Sequence, residues 1–241
     1  MVSLSTSARG AGRRAFLLGL GGVSLGLAWW SRAEQGAARA LAQGSRQLGP
    51  DEALQVLLEG NQRFVAGRLT APGQIVARRN EVAPSQAPIA AIVGCSDSRV
   101  PPELVFDQSL GDLFVTRLAG NIVDEAAQGS LEFAVDGLGA SLIVVLGHQR
   151  CGAVAAAVQA VQGGAVAGYL SYLVETIAPA ARLALGRPGD VVDNAIRANV
   201  ERVVSQLAAA EPVLAGGVRE GRLRIVGAYY SLDTGVVSLL T

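Results

Sequence analysis

The sequence predicts an α/β fold: a mainly parallel β-sheet core flanked by helices, with an antiparallel strand at its C-terminal edge. Three observations predict it. Short, continuous apolar runs recur along the chain, which is the signature of strands buried on both faces. Longer segments with helical spacing fill the gaps between them, and alternating strands and helices imply parallel pairing through right-handed crossovers. The last apolar run follows the previous one across Asp233-Thr234-Gly235, a turn that folds it back as a hairpin.

The elements follow in order. Residues 43 to 50 (QGSRQLGP) form a polar linker ending in Gly49-Pro50. Asp51 is placed to cap a helix in which Leu54, Leu57, Leu58, Asn61, Phe64 and Val65 share one face. TAPGQ and APSQAP read as loops because Pro and Gly break regular structure. The first strand is Pro88 to Cys95 and the second Asp112 to Leu118. The third, Ser141 to His148, is the clearest, and the fourth runs from Arg222 to Tyr230. VVSLL is the antiparallel fifth. Helices are expected at about 124 to 138, 151 to 162, 171 to 185 and 190 to 211.

Composition bounds the function. Twenty basic residues balance twenty acidic ones, so no electrostatic field favours nucleic acid or an anionic membrane surface. Half of the 241 residues are hydrophobic, enough for a core of ordinary size in one domain, taken as residues 51 to 241. The first 42 residues differ in kind. Arg13 and Arg14 precede an uncharged apolar stretch from Ala15 to Trp30, and Ala40-Leu41-Ala42 follows. That is the layout of an export signal with a cleavage site before Gln43, and the paired arginines resemble a twin-arginine signal. The expectation is export across a bacterial inner membrane to the periplasm or envelope; an uncleaved anchor is the alternative. The mature domain is expected to need no membrane.

The chain has two cysteines and one histidine, and all three fall at or just beyond two predicted strand ends. Cys95 ends the first strand in GCSDSRVPPE; His148 ends the third in GHQRCGAV, three residues before Cys151. Reactive crevices in parallel sheets lie at the carboxyl ends of strands, so both stretches fall on one edge. Two thiolates, an imidazole and an oxygen suit tetrahedral Zn2+. Cys151 also opens a helix, where a thiolate is favoured. Asp97 points the same way as Cys95 if the stretch is extended, and Arg99 is close enough to pair with it. Asp97 on the metal would shut the site; Asp97 on Arg99 would leave a position for water.

CSDSRVPPE and GHQRCGAV closely match the two zinc-binding motifs of the β-class carbonic anhydrases. The likeness extends from EGNQRFVAGR through FVTRLAGNIV, SLEFAVDGLGASLIVVLGH and RANVERVVSQL to GAYYSLDTG, nearly all of the expected mature chain. The resemblance implies reversible hydration of CO2 to bicarbonate and a proton by a zinc-bound hydroxide, one Zn2+ per chain, in homodimers or dimers of dimers. It implies zinc ligands at Cys95, His148 and Cys151, with Asp97 either ligating or paired with Arg99. A glutamine that reaches substrate from the dimer partner matches Gln86, and an aromatic pocket wall matches Phe114. Gly152 would offer a backbone amide. Three positions depart from the family's common pattern. A small wall residue, often valine, is Ala119; a pocket tyrosine of some members is Phe133, without its hydroxyl; and the tryptophan that marks an inhibitory bicarbonate site is Ile92. The last favours the open form, with Asp97 on Arg99.

Three alternatives stand beside this reading: a carbonyl sulfide or carbon disulfide hydrolase on the same fold, a non-catalytic zinc protein, and a metal-free cysteine–histidine nucleophile.

Overall fold

In a computed structural model, residues 48–70 and 75–240 are described. The expected export signal and most of the linker lie outside these residues. Five strands form one sheet in the order β2-β1-β3-β4-β5: β1 (Ala90–Gly94), β2 (Leu113–Arg117), β3 (Leu142–His148), β4 (Arg224–Tyr230) and β5 (Val237–Leu240). The first four are parallel and β5 is antiparallel to β4, as the sequence predicts.

Every residue of β1 and β3 is buried, which explains their continuous apolar composition. Alternate residues serve opposite faces. Ile92, Leu142, Val144 and Leu146 pack beneath Ala53, Leu54 and Leu57 of helix α1 (Pro50–Val65). Ala91, Val93, Ile143 and Val145 pack beneath α4 (Glu125–Glu132) and α7 (Val191–Ala208), with Leu131, Val200, Val203 and Leu207 as the contacts. Each fully buried Ile or Leu contributes about 1.5–3 kcal/mol of apolar transfer, so these two strands are the rigid base from which the loops at their ends project. Helix α7 lies unusually close. A Cβ on Gly147 or Gly227 would come within 2.6 or 2.8 Å of Val200, so only glycine fits at either position.

The remaining elements are α2 (Ile75–Val82), α3 (Pro102–Val105), α5 (Gly152–Val161), α6 (Leu170–Ala184) and α8 (Val213–Arg219). Several expectations are corrected. Asp51 does not cap α1: Gly49 holds that place without a side-chain bond, and Pro50 opens the helix, where its fixed φ and missing N–H cost nothing. Asp51 instead pairs with Arg224 at 2.5 Å. Val65, assigned above to the apolar face, is 45% exposed. The helix expected at 124–138 stops at Glu132 and continues as a wider turn, Phe133–Gly137, closed by the Leu138 amide on the Phe133 carbonyl. Helix α7 ends at Ala208 rather than near Glu211, because α8 starts just beyond Pro212. Asp124 and Asp190 do cap α4 and α7, each accepting from the amide three residues on at 2.8 Å.

Candidate metal centre

Cys95, His148 and Cys151 converge at the carboxyl edge of the sheet, with their ligand atoms all within 4.8 Å of one another. Cys95 follows β1, His148 is the last residue of β3, and Cys151 caps the start of α5. All three are buried. The His148 Nδ1 sits 3.0 Å from the Gln149 carbonyl. A carbonyl only accepts, so Nδ1 carries a proton and Nε2 is the ring nitrogen left to bind a metal. That Nε2 is buried and has no hydrogen-bond partner.

This donor set fits zinc. Two sulfurs about 2.3 Å from a tetrahedral centre stand about 3.8 Å apart; Cys95 Sγ and Cys151 Sγ are 3.9 Å apart. A buried imidazole nitrogen without a partner completes the set, since buried polar atoms otherwise find one. As they stand, the two sulfurs lie within hydrogen-bonding distance of each other. The hydrogen bond from Cys151 pulls the Cys95 thiol down, helped by His148 and the Gly120 amide, while the same bond and burial hold the Cys151 thiol up. Thiolate character therefore falls first on Cys95, although the Ala153 and Val154 amides at the start of α5 act in favour of a Cys151 thiolate.

Asp97 stands as the partner of Arg99. Its Oδ1 accepts from Arg99 Nε and from the Arg99 amide, each at 2.9 Å, and its Oδ2 accepts from Nη2 at 2.8 Å. The Arg99 side chain holds the carboxyl far below the usual carboxylate range, against the opposing effect of partial burial. Oδ2 is nevertheless only 3.8 Å from His148 Nε2, so the carboxylate borders the metal donors while remaining outside them.

Residues that sequence reasoning missed shape this edge. Arg117, at the end of β2, donates from Nε to the Cys95 carbonyl at 2.8 Å and from Nη2 to the Asp97 carbonyl at 2.5 Å, pinning the loop that carries both side chains. Asp233 receives the Gln149 amide at 2.9 Å and both Arg150 terminal nitrogens, at 3.0 and 2.6 Å. It thereby clasps the two residues that separate His148 from Cys151. Arg150 there has φ 55°, a left-handed conformation that costs a non-glycine residue of order 1 kcal/mol or more. Gly120 donates its amide to Cys95 Sγ at 3.2 Å. Only the family likeness, in FVTRLAGNIV, GHQRCGAV and GAYYSLDTG, pointed near these positions.

The other expected site residues are distributed as follows. Ala119 opens the turn Ala119–Asn121 beside Cys95 and is partly buried. Gly152 is the first residue of α5, exposed, with open space around a would-be Cβ. Ile92 is buried within β1. The Phe114 and Phe133 rings meet at a tilt of 59° with centroids 6.3 Å apart. Phe114 pairs in register with Ala91, four residues before Cys95, or about 13 Å along the strand. Phe133 is 53% exposed, and Gln86 is exposed in the loop before β1. Within one chain, then, the register sets Phe114 apart from the three donors.

Residues 90–237 match the family model described as carbonic anhydrase. Carbonic anhydrase 2 of Mycobacterium tuberculosis is 46% identical over 189 residues, covering 77% of this chain and 90% of that protein. A carbonic anhydrase of Mycolicibacterium smegmatis is 42% identical over 193 residues, covering 79% and 93%. Among solved structures, the Coccomyxa β-carbonic anhydrase in complex with acetazolamide superposes with a TM-score of 0.62 at 30% identity, covering 76% of this chain and 84% of that one. One of the tetrameric β-carbonic anhydrases of Sordaria macrospora gives 0.63 at 26% identity, covering 76% and 94%. Motifs, sheet order and relatives agree: the chain belongs to the β-class carbonic anhydrases.

Proposed function

We propose that the chain hydrates CO2 reversibly to bicarbonate and a proton at the edge formed by Cys95, His148 and Cys151, with Asp97 and Arg99 as the residues that orient the attack. The observation that carries this reading is a three-donor zinc set bordered by a carboxylate already engaged by arginine. Cys95, His148 and Cys151 would hold the zinc, which would supply an acidified water as a source of hydroxide near neutrality.

The chain's own residues do the rest. Asp97 is ionised at neutral pH and can only accept, so it accepts a hydrogen bond from the attacking oxygen and thereby turns that oxygen's lone pair toward the substrate carbon. Arg99 keeps Asp97 in that acceptor role by occupying both of its oxygens. The buried apolar residues Ile122, Val154 and Ile177 pack around the cysteines, a setting that suits a small apolar substrate and holds bulk water off the donors.

The full pocket is a product of two copies. Phe114 lies away from the donors of its own chain, Gln86 and Phe133 are exposed, and an exposed phenylalanine packed at a tilt against a second aromatic is a surface that association would bury. A homodimer, or a dimer of dimers, brings them to a partner's pocket. Export through the twin-arginine-like segment is the matching proposal for the first 42 residues: replacing Arg13 and Arg14 by Lys blocks export, and unchanged export overturns it.

The test of function is zinc analysis of the purified protein in parallel with a CO2 hydration assay and a carbonyl sulfide assay. One zinc per chain with hydration well above carbonyl sulfide hydrolysis is expected. Full hydration activity in protein shown to lack metal would overturn the reading.

A further inference from the structure

Asn199, in the middle of α7, is a completely buried polar residue among the apolar ones of that helix's packed face. Its Nδ2 donates to the Gly120 carbonyl at 2.8 Å, and Arg202 Nη2 approaches its Oδ1 at 3.3 Å. Gly120 is the residue whose amide donates to Cys95 Sγ at 3.2 Å. It has φ 73° and ψ 21°, and a Cβ there would come within 2.5 Å of Ile177.

We infer that Asn199 is a positioning residue of the metal centre, holding Gly120 by its carbonyl so that the Gly120 amide stays on the Cys95 sulfur. The inference rests on Cys95 being a metal ligand. Glycine is the loosest residue in the chain and is equally at home in several backbone conformations. Nothing intrinsic keeps its N–H aimed at a sulfur. Anchoring the carbonyl side with a buried donor removes that freedom, and Arg202 fixes which end of the amide points at Gly120. The bond matters because an N–H on a metal thiolate withdraws electron density from the sulfur. Outer-shell donors of this kind tune the metal and typically change affinity or activity by 10–100-fold when removed. A donor whose only duty is to satisfy a buried carbonyl has no reason to affect the sulfur.

The two duties are separable with Co2+ in place of zinc, because sulfur-to-cobalt charge transfer reports the electron density on the thiolates. Asn199→Asp keeps the shape and gains Arg202 as counter-ion, but offers Gly120 no donor. Asn199→Ala removes the anchor outright. Val203→Ala, elsewhere on the same helix, is the control for lost packing. The expected result is a charge-transfer band at longer wavelength and zinc affinity weaker by about tenfold in Asn199→Asp, with the same direction in Asn199→Ala and an unmoved band in Val203→Ala. A folded, cobalt-loaded Asn199→Asp whose band coincides with the parent's overturns the inference and leaves the metal site standing. The parent carries an independent check: with 113Cd bound, the Gly120 amide proton is coupled to the metal through Cys95 Sγ, and absence of that coupling overturns the inference without any variant. A parent that binds neither metal overturns the assignment of Cys95 itself.

Discussion

Replacing Arg99 by Ala separates the role of Asp97 from that of the metal donors. Arg99 makes three hydrogen bonds to the carboxylate, and the substitution removes the two from its side chain while the backbone amide remains. The released Oδ2 starts 3.8 Å from His148 Nε2. Two ligand atoms about 2.1 Å from a tetrahedral zinc stand about 3.4 Å apart, so a movement of roughly half an ångström toward the imidazole brings this oxygen to ligand spacing. A fourth protein ligand takes the place that water needs. Hydration is therefore expected to fall by about 10- to 100-fold, the usual scale for losing a group that positions a metal site, while zinc content stays at the parent level. The assay is kcat/KM for CO2 hydration with metal content measured on the same samples. Cobalt substitution adds a direct view, since a closed four-ligand site no longer changes its spectrum when a small anion is added. A variant as active as the parent, with a full complement of zinc, would refute the reasoning that Arg99 holds Asp97 off the metal.

Other outcomes follow from the same geometry. Cys151→Ser removes one of two sulfurs 3.9 Å apart, so zinc and hydration should fall together; full zinc occupancy by elemental analysis would show that Cys151 is not a ligand. The depressed Asp97 carboxyl means that the stabilisation from its ion pair with Arg99 is fully present above the ordinary carboxylate pKa of about 4 and is lost only as pH falls through the lower folded value. Asp97 thus adds no titration at neutral pH, and hydration should climb from about pH 6 toward about pH 9 on one limb set by the acidified water; a second inflection in the kcat/KM profile would contradict this. Phe133→Asp places a charge on the exposed aromatic pair and should yield a smaller, less active species by light scattering and assay, whereas a parent-sized, fully active variant would exclude that surface from assembly.

The sheet was legible because its central strands are buried on both faces, which leaves IAAIVG and LIVVLG almost no choice but apolar residues. The donors were legible because cysteine and histidine are so scarce in this chain that their positions at two strand ends stand out. What escaped notice has physical reasons. Helix α2 (IVARRNEV) is largely polar and its sequence is flanked by prolines, so no apolar stripe announces it. Helix α8 contains two adjacent glycines, which argue against a helix until burial of both is known. Asn199 and Arg117 act on carbonyls 79 and 20 to 22 residues away, and a carbonyl has no sequence signature. The Asp97–Arg99 pairing seen here is one of two arrangements that the spacing of Cys95, Asp97 and Arg99 allows, so the sequence could not single it out.

Asp233 belongs to the turn between β4 and β5, more than 80 residues from the ligands whose spacer it clasps. The neighbouring Gly235 and Val237 are tied to α1 as well, through the Asn61 side chain, which donates to the Gly235 carbonyl and accepts from the Val237 amide at 2.9 Å each. The β4–β5 hairpin is thus a buckle joining the start of the described fold to its metal edge. During synthesis the three donors are translated long before the buckle exists, so a chain halted between Cys151 and Asp233 carries every ligand but lacks the hold that keeps two of them in place. Damage to the hairpin, by nicking or by a fusion that disturbs its turn, would show up at the bench as poor zinc retention, with each ligand intact.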